Sequence, residues 1–476
     1  MSVAPEAGPV LRNRTFDEIA VGDTASLTRT VGRDDIDLFA AVSGDVNPAH
    51  LDSAFAATGL FGHVVAHGMW TAALISAVLG TRLPGPGTVY LGQDLRFIKP
   101  VSLGDTITAT VTVAERRPDK RILTLDTRCT NQHGAEVLTG TATVIAPDTK
   151  VEWPQKPLPQ ISVQRHDLFE GFIARARDGA PPRTAVVHPC SSDALIAAVK
   201  MRELGLIDPV LVGPEARIRE IAAEAGVALD GMAIEPAAHS HAAAARAVEL
   251  VVAGKAEVLM KGSLHTDELL AAVLAPAAGL RTERRISHIH VMDVPAYDKP
   301  LIVTDAAINI RPTLAHKRDI CQNAIDFVRA IGVEEPLVAA LAAVEKVNDK
   351  MPATLEAAAL TVMALRGQIT GGKVDGPLAF DNAINRDAAT AKGIVSPVAG
   401  QADILLVPDL EAGNMLARQL VYFAHADTAG LVLGARVPII LTSRADSLRA
   451  RVASAALIKL MCAHRIGYWG SESKIH

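Results

Sequence analysis

An aspartate and a histidine stand close together in the segment Asp45-Val-Asn-Pro-Ala-His50. Pro48 disfavours helical backbone at the residue before it, so the segment can turn and bring the carboxylate and the imidazole towards each other. These two groups, placed around one water molecule, can share the proton transfers of general acid–base catalysis. The alternative is a structural turn, in which Asp45 and Asn47 only shape the backbone.

A mostly apolar run follows this segment, from Met69 to about residue 83, and its composition predicts a buried helix. Gly68 lies at the start of that helix, where free backbone N–H groups and the helix dipole favour negative charge. Such an N–H can stabilise an oxyanion. Ser76 lies farther along, where a serine often bonds to its own backbone. His63 and His67 are interpreted as structural.

Segments with alternating apolar and polar residues come next, and this alternation predicts strands of a sheet with one buried face. Shorter helix-like segments precede them at residues 34–42 and around 52–57. The fold predicted for this region is therefore an antiparallel sheet wrapped around one helix. The predicted strands are residues 88–97, 105–114, 122–131 and 136–145.

The segments Ser43-Gly-Asp-Val-Asn-Pro-Ala-His-Leu-Asp and Val65-Ala-His-Gly-Met resemble the MaoC-like, (R)-specific enoyl-CoA hydratases. The resemblance covers nearly all of residues 10–145 and implies a hot-dog fold of the α+β class. It also implies that Asp45 and His50 are the catalytic pair. By the same resemblance, the N–H of Gly68 polarises the thioester carbonyl and Ser76 supplies a supporting hydroxyl.

A second group of polar residues follows the predicted strands of the chain's later part. Small polar residues and single cations at such ends suit a phosphate-bearing ligand. In Ser443-Arg-Ala-Asp446 the serine and the acid could instead form only a helix-capping box. The four polar blocks lie at residues 260–267, 305–313, 408–415 and 442–447.

From residue 162 onwards, strand-like and helix-like segments alternate. This rhythm predicts an α/β domain with mainly parallel sheets, and its length suits two subdomains with a cleft between them. Ligands of such folds bind beyond the carboxyl ends of the strands. The polar blocks are therefore expected to meet in one site.

Together with Gly376-Pro-Leu-Ala-Phe-Asp-Asn-Ala, these blocks resemble the phosphate acetyltransferase and phosphate butyryltransferase family over roughly residues 165–470. Several motifs look closer to the butyryl branch. The resemblance implies that Arg444 holds phosphate and that Ser443 hydrogen-bonds the thiol or the developing oxyanion. Asp446 is the candidate base for the CoA thiol, since Ala450 occupies the position where some acetyl-type members carry the carboxylate.

Further contacts follow from the same resemblance. Asn309 and Asn414 are expected to contact phosphate or the thioester carbonyl, and Arg281 to supply a second cation. The alternative for Arg281 and its arginine neighbours is a solvated face. The family uses no metal, so the expected ligands are CoA thioesters and inorganic phosphate, with no further cofactor.

Four prolines within residues 146–160 predict an extended connector between the two parts. The predicted organisation is a hot-dog domain over residues 1–146, a linker over 147–161 and a transferase domain over 162–476. The formal net charge of −5 gives no general attraction to nucleic acid. We expect a cytoplasmic protein, because the sequence lacks a signal peptide and a membrane-length apolar run, and its four cysteines form no close pair.

Both resemblances require an acyl-CoA ligand, and their agreement predicts a bifunctional enzyme. One half would hydrate a short-chain 2-enoyl-CoA and the other would exchange an acyl group between CoA and phosphate. The alternatives are a C-terminal half that only senses CoA and oligomerises, and a hot-dog half that is a thioesterase or a dimerisation domain. Both families form oligomers, so we also predict a homo-oligomer.

Overall fold

The computed structural model describes residues 10–159, 161, 163–442 and 446–464. The chain divides into two compact units, Met1–Val163 and Gln164–His476. No helix in these described ranges is both long and apolar enough to cross a membrane.

The first unit contains mostly β-structure with one long central helix. Its strands are β1 (Val10–Arg12), β2 (Thr24–Thr30), β3 (Val89–Phe97), β4 (Thr106–Arg117), β5 (Ile122–Thr130), β6 (Glu136–Ile145) and β7 (Glu152–Pro154). Its helices are α1 (Arg33–Ser43), α2 (Pro48–Leu51), α3 (Ser53–Thr58) and α4 (Gly68–Thr81).

Five strands form one antiparallel sheet in the order β2-β4-β5-β6-β3, and α4 packs against it. The predicted alternation is visible in β4, where every second residue from Ile107 to Val113 is buried. This arrangement confirms the predicted hot-dog fold. Helix α4 is not buried all round, because Met69, Ala73 and Ser76 leave one stripe of it exposed.

The first half of the predicted linker is part of the first unit. Strand β7 pairs antiparallel with β1, and buried Asn13 ties the intervening loop to the sheet. The Asn13 Nδ2 donates to the carbonyl of Thr149 at 2.8 Å, and its Oδ1 accepts from the N–H of Val151 at 2.8 Å. The boundary between the two units therefore comes after these contacts, at residue 163. Within the predicted connector, residues 152–154 form strand β7.

The second unit alternates strands and helices. Its strands are β8 (Arg183–Val187), β9 (Asp208–Gly213), β10 (Ala233–Pro236), β11 (Val258–Lys261), β12 (Ser287–Asp293), β13 (Leu301–Thr304), β14 (Leu337–Leu341), β15 (Lys373–Leu378), β16 (Ile404–Leu406), β17 (Asp427–Leu433) and β18 (Ile439–Ile440). Its helices are α5 (Asp167–Arg175), α6 (Ser192–Glu203), α7 (Glu215–Glu224), α8 (Ser240–Val252), α9 (Thr266–Leu274), α10 (Leu314–Ala330), α11 (Pro352–Leu365), α12 (Phe380–Ile384), α13 (Arg386–Ala391), α14 (Leu410–Phe423) and α15 (Leu448–Ala463).

All the strands described in this unit join one sheet, in the order β10-β9-β8-β11-β18-β17-β12-β13-β16-β14-β15. The first five are mutually parallel, and so are the last four. Antiparallel pairing through β17 and β12 connects these two groups. The predicted α/β class with mainly parallel strands is confirmed, and its two parallel groups share one continuous sheet.

Candidate functional site

The turn between α1 and α2 carries the predicted acid–base pair. Gly44 ends α1 in the left-handed region with φ 77°, a conformation that glycine adopts without a Cβ clash. Asn47 then caps α2, its side chain accepting from the N–H of Ala49 at 3.1 Å. Asp45 thus lies on the turn and His50 on the short helix that follows it.

The hydrogen bonds of His50 define which ring nitrogen is free. Its Nδ1 lies 2.7 Å from the carbonyl oxygen of Val65. A carbonyl oxygen can only accept, so Nδ1 carries the proton and Nε2 keeps a lone pair. The Asp45 side chain is exposed, and His50 is partly buried. The free nitrogen can therefore accept a proton from a water molecule next to the Asp45 carboxylate.

His67 joins this pair, although the sequence analysis interpreted it as structural. Its side chain is buried, its Nε2 lies 3.0 Å from the backbone carbonyl of Asp45, and its ring centroid is 4.0 Å from that of His50. One possible ligand atom from each of Asp45, His50 and His67 lies within 4.8 Å of the others. The signal in the sequence was its position next to Gly68, at the start of the central helix.

Gly68 is the first residue of α4, so its N–H has no partner within the helix. A Cβ at this position would lie 2.9 Å from Cε1 of Phe97, so only glycine allows this close packing. A cavity of about 300 Å³ begins here and contains both Gly68 and His50 in its wall. The rest of the wall is mainly apolar and includes Phe61, Val65, Phe97, Ile98, Val101 and Val137.

Ser76 lies outside this cavity. It follows Gly68 by eight residues on α4, which corresponds to about 12 Å along the helix axis. Its side chain is on the exposed stripe of the helix and is not part of the cavity wall. Within one chain, the structure therefore brings together Asp45, His50 and Gly68 but leaves Ser76 apart from them.

The second cavity, of about 480 Å³, lies in the other unit beyond the carboxyl ends of β11 and β18. Lys261 is the last residue of β11, and Thr442 follows β18. This is the edge at which the strand pattern predicted a ligand site. The polar part of the wall includes Lys261, His288, His290, Asn414, Thr442 and Asp446.

Two buried cations hold the chain on both sides of residues 443–445. Lys261 Nζ donates to the carbonyl of Thr442 at 3.2 Å, and Arg451 Nε donates to the carbonyl of Asp446 at 3.3 Å. Their residues are only 4% and 5% exposed, respectively. The sequence analysis noted Lys261 in Met260-Lys-Gly without giving it a role, although a single cation at the end of a buried strand is a usable signal.

The predicted Ser443 and Arg444 lie outside the described residues, while Asp446 lines the cavity. The capping alternative for this segment is wrong. Helix α15 begins at Leu448 and is capped by Ser447, whose hydroxyl accepts from the N–H of Ala450 at 3.1 Å. Asp446 is therefore not needed at the helix start and remains a polar group of the cavity wall.

The two predicted asparagines differ in their surroundings. Asn414 lines the cavity, and its Oδ1 accepts from Nε of Arg418 at 3.0 Å. Asn309 is buried outside it: its Nδ2 donates to the carbonyl of Ile286 at 2.8 Å, and its Oδ1 accepts from Nε of Arg285 at 2.6 Å. These bonds place the Asn309 side chain in a buried hydrogen-bond network, and its ligand contact stays a prediction.

Arg281 is exposed and does not line the cavity. Its backbone pairs with Ala435 in an isolated bridge. Among the residues that the structure describes, Lys261 and Arg418 are the cations that contribute to the cavity wall. An anionic ligand in this cavity would therefore meet one buried and one exposed cation from the described part of the chain.

Two histidines on β12 complete the polar wall. Burial lowers the pKa of His288 to about 4, and burial lowers the pKa of His290 well below its usual value. Their ring centroids are 4.4 Å apart, and His290 Nδ1 lies 3.3 Å from the hydroxyl of Thr428. Both rings are neutral at pH 7, so they supply hydrogen-bonding groups to the cavity but no charge.

Comparison with protein families gives one match in each unit. The MaoC-like domain matches residues 19–133, and the phosphate acetyl/butaryl transferase family matches residues 237–459. These matches include Asp45, His50 and Gly68 in the first case, and Lys261, Asn414 and Asp446 in the second. The second cavity thus falls inside its matched region, and so does the first except for Val137.

Relatives of known name match the second unit. A phosphate acetyltransferase of Rhizobium meliloti is 58% identical over 66% of this chain and 97% of the relative. A phosphate butyryltransferase of Clostridium acetobutylicum is 39% identical over 62% of this chain and 99% of the relative. Overall identity is higher to the first, so the butyryl-like motifs do not by themselves assign a branch.

A solved structure matches the same region. The crystal structure of a branched-chain phosphotransacylase from Enterococcus faecalis has a TM-score of 0.52 and 29% sequence identity. It covers 58% of this chain and 99% of the other. The match supports the α/β architecture described above for the second unit.

Proposed function

Because the chain belongs to the phosphate acetyl/butyryltransferase family and carries a MaoC-like domain before the transferase region, we propose that it is a bifunctional enzyme. The second unit transfers an acyl group between CoA and inorganic phosphate. The first unit adds water to a short-chain 2-enoyl-CoA and gives the (R)-3-hydroxyacyl-CoA. The observation that carries the hydratase activity is the position of His50, which lies next to Asp45 and shares one cavity wall with Gly68.

In the transferase reaction, a phosphate oxygen attacks the thioester carbon and the CoA thiolate leaves. The developing negative charge needs donors that are already in place before the reaction. Lys261 is such a donor, because it is buried at the cavity wall and bonds the backbone before residue 443. We assign phosphate binding to Arg444 and Lys261. Ser443 is assigned the hydrogen bond to the thiol or the oxyanion, and Asp446 is assigned the role of base for the CoA thiol.

In the hydration reaction, the oxygen of water bonds to C3 of the enoyl group and a proton is added at C2. The lone pair on His50 Nε2 accepts a proton from the water, which the Asp45 carboxylate helps to orient. The N–H of Gly68 donates to the thioester oxygen, which carries the enolate charge until C2 is protonated. The pair of Asp45 and His50 then donates one proton to C2, so both side chains end in their starting protonation states.

The size of the first cavity is the basis for proposing short acyl chains. Ligand cavities in proteins usually hold about 300–1,000 Å³, and this one is at the lower end of that range with about 300 Å³. Phe61 and Phe97 are bulky parts of its wall.

Neither reaction needs a redox group or an organic cofactor, because both proceed by proton transfer and charge stabilisation.

We also propose a homo-oligomer in a reducing cytoplasm. Strand β3 is an edge strand of its sheet, and Val89, Tyr90 and Leu91 on it are exposed. Helix α14 exposes Tyr422 and Phe423 in the second unit. Exposed edges and apolar patches of this kind are commonly covered by another subunit. All four cysteines are free thiols, which suits the proposed compartment.

The test of the proposal uses the purified full-length protein with two assays. Crotonyl-CoA is expected to lose its enoyl absorbance as it is hydrated, and chiral analysis should give the (R)-product. Acetyl-, propionyl- and butyryl-CoA are expected to release CoA only when phosphate is present. Release of CoA without phosphate would identify a thioesterase instead. Hydration without any phosphate-dependent release would leave the second unit as a binding scaffold.

Replacing Gly68 with alanine should lower the rate of hydration by up to about 100-fold, because small misplacements of reacting groups cost that much. The added Cβ would lie 2.9 Å from Phe97 Cε1, so the helix start or the ring must move. A second substitution, Phe97→Leu, is expected to restore part of the activity by making room. The measurement is kcat and KM for crotonyl-CoA, with phosphate-dependent CoA release as the control. Full activity of the single variant would contradict the assigned role of this helix start.

A further inference from the structure

The cluster of Asp45, His50 and His67 has the composition of a metal site. One possible ligand atom from each residue lies within 4.8 Å of the other two. Two imidazoles and one carboxylate form a ligand set that zinc and similar ions bind in proteins. We propose that this cluster binds one divalent ion of the zinc class, which is a property distinct from both reactions above.

The hydrogen bonds around the two rings match those of metal-binding histidines. Such histidines donate one ring N–H to a carbonyl or carboxylate, which fixes the ring and leaves the other nitrogen free for the metal. His50 donates from Nδ1 to the carbonyl of Val65 at 2.7 Å. His67 donates from Nε2 to the carbonyl of Asp45 at 3.0 Å. The rings thus keep lone pairs on His50 Nε2 and His67 Nδ1.

The burial of His67 is the second observation that points to a ligand. The residue is only 2% exposed, and its Nδ1 has no hydrogen-bond partner among the residues that the structure describes. A buried acceptor without a partner is unfavourable, and a bound ion would satisfy it. The ring offers Nδ1 as it stands, or Nε2 if its hydrogen bond to Asp45 is released.

The ligand set also predicts which ions bind. Nitrogen ligands favour Zn²⁺ and Co²⁺, whereas Mg²⁺ and Ca²⁺ prefer sites made of oxygen atoms. Three protein ligands leave a coordination position for water. If Asp45 and His50 perform the proposed hydration, a bound ion occupies the lone pairs that the reaction needs and inhibits it. This consequence rests on the proposed function, but the binding of the ion does not.

The experiment is a calorimetric titration of the full-length protein, freed of metal with EDTA, with ZnCl₂. Wild type should have a site that Asp45→Asn and His67→Gln each weaken by at least about tenfold, since losing a residue that only orients a ligand already costs about 10–100-fold. MgCl₂ should give no such site. The matched control is His63→Gln, an exposed histidine whose Nε2 lies 2.8 Å from the Ser102 hydroxyl, and it should bind like wild type.

An unchanged zinc isotherm in both Asp45→Asn and His67→Gln would overturn the proposal. If His67→Gln fails to fold, as judged by circular dichroism, the Asp45 variant decides, because that side chain is exposed and packs in no core. A cobalt titration adds a spectroscopic readout, since visible absorption bands report nitrogen ligands. Zinc binding at this cluster in a protein that never hydrates crotonyl-CoA would retain the metal site and reject the hydratase.

Discussion

Asp45→Asn should lower the rate of crotonyl-CoA hydration by about 10²–10⁴-fold, the usual contribution of a general acid or base. An amide has nearly the same shape as the carboxylate but carries no charge and accepts no proton. The exposed position of Asp45 and the turn made by Gly44 and Asn47 leave the fold independent of its charge. The measurement is kcat/KM for hydration, together with phosphate-dependent CoA release on the same preparation.

The matched control for this variant is Asp119→Asn. Asp119 is also an exposed aspartate of the first unit, on a short 3-10 helix between β4 and β5, and it lies outside the cluster of Asp45, His50 and His67. It should hydrate crotonyl-CoA like wild type. If Asp45→Asn also keeps wild-type hydration, the first unit either is not a hydratase or uses other residues. Loss of CoA release in the Asp45 variant would show that the substitution has acted through the fold.

The acid–base pair and the helix start of the first unit could be predicted from the sequence because they are close along the chain. Asp45, His50 and Gly68 lie within one stretch of turn, short helix and helix start, and local rules for proline, glycine and helix ends apply there directly. What those rules missed is His67. Its contact with His50 depends on where the start of α4 lies relative to α2, and spacing along the chain gives no measure of that distance.

The exposed position of Ser76 illustrates a related difficulty. An apolar helix predicts burial, but the sequence alone does not say whether the apolar surface is covered within the chain or left for another subunit. The stripe of Met69, Ala73 and Ser76 is exposed in the single chain. Neither apolarity nor periodicity distinguishes these two outcomes, so the role of this serine stays a prediction.

The second cavity was harder to predict because its wall comes from distant parts of the chain. The rhythm of strands and helices predicted the edge at which the blocks meet, and Asn414 and Asp446 do line the cavity. Asn309 has the same residue type but is buried in a hydrogen-bond network. The antiparallel strands β12 and β17 were also outside the predicted parallel pattern, since pairing direction is set by the connections and not by composition.

Lys261→Met should lower phosphate-dependent CoA release by about 10²–10³-fold, the cost of removing one fixed donor from an oxyanion site. Methionine retains an unbranched apolar stem, one heavy atom shorter than lysine, but cannot donate to the carbonyl of Thr442 or to a bound anion. Hydration of crotonyl-CoA should be unchanged, because the two cavities belong to separate units. The measurement is CoA release from acetyl- and butyryl-CoA at several phosphate concentrations.

A matched control separates the loss of the cation from the loss of a buried lysine in general. Lys459 is equally buried, at 3% exposure, but its Nζ donates to the carbonyls of Gly179 and Gly205, away from the cavity. Lys459→Met should therefore lower the melting temperature and keep kcat, whereas Lys261→Met should lower kcat at a temperature where both are folded. Equal loss of kcat in the two folded variants would contradict the role given to Lys261, because burial would then explain both effects.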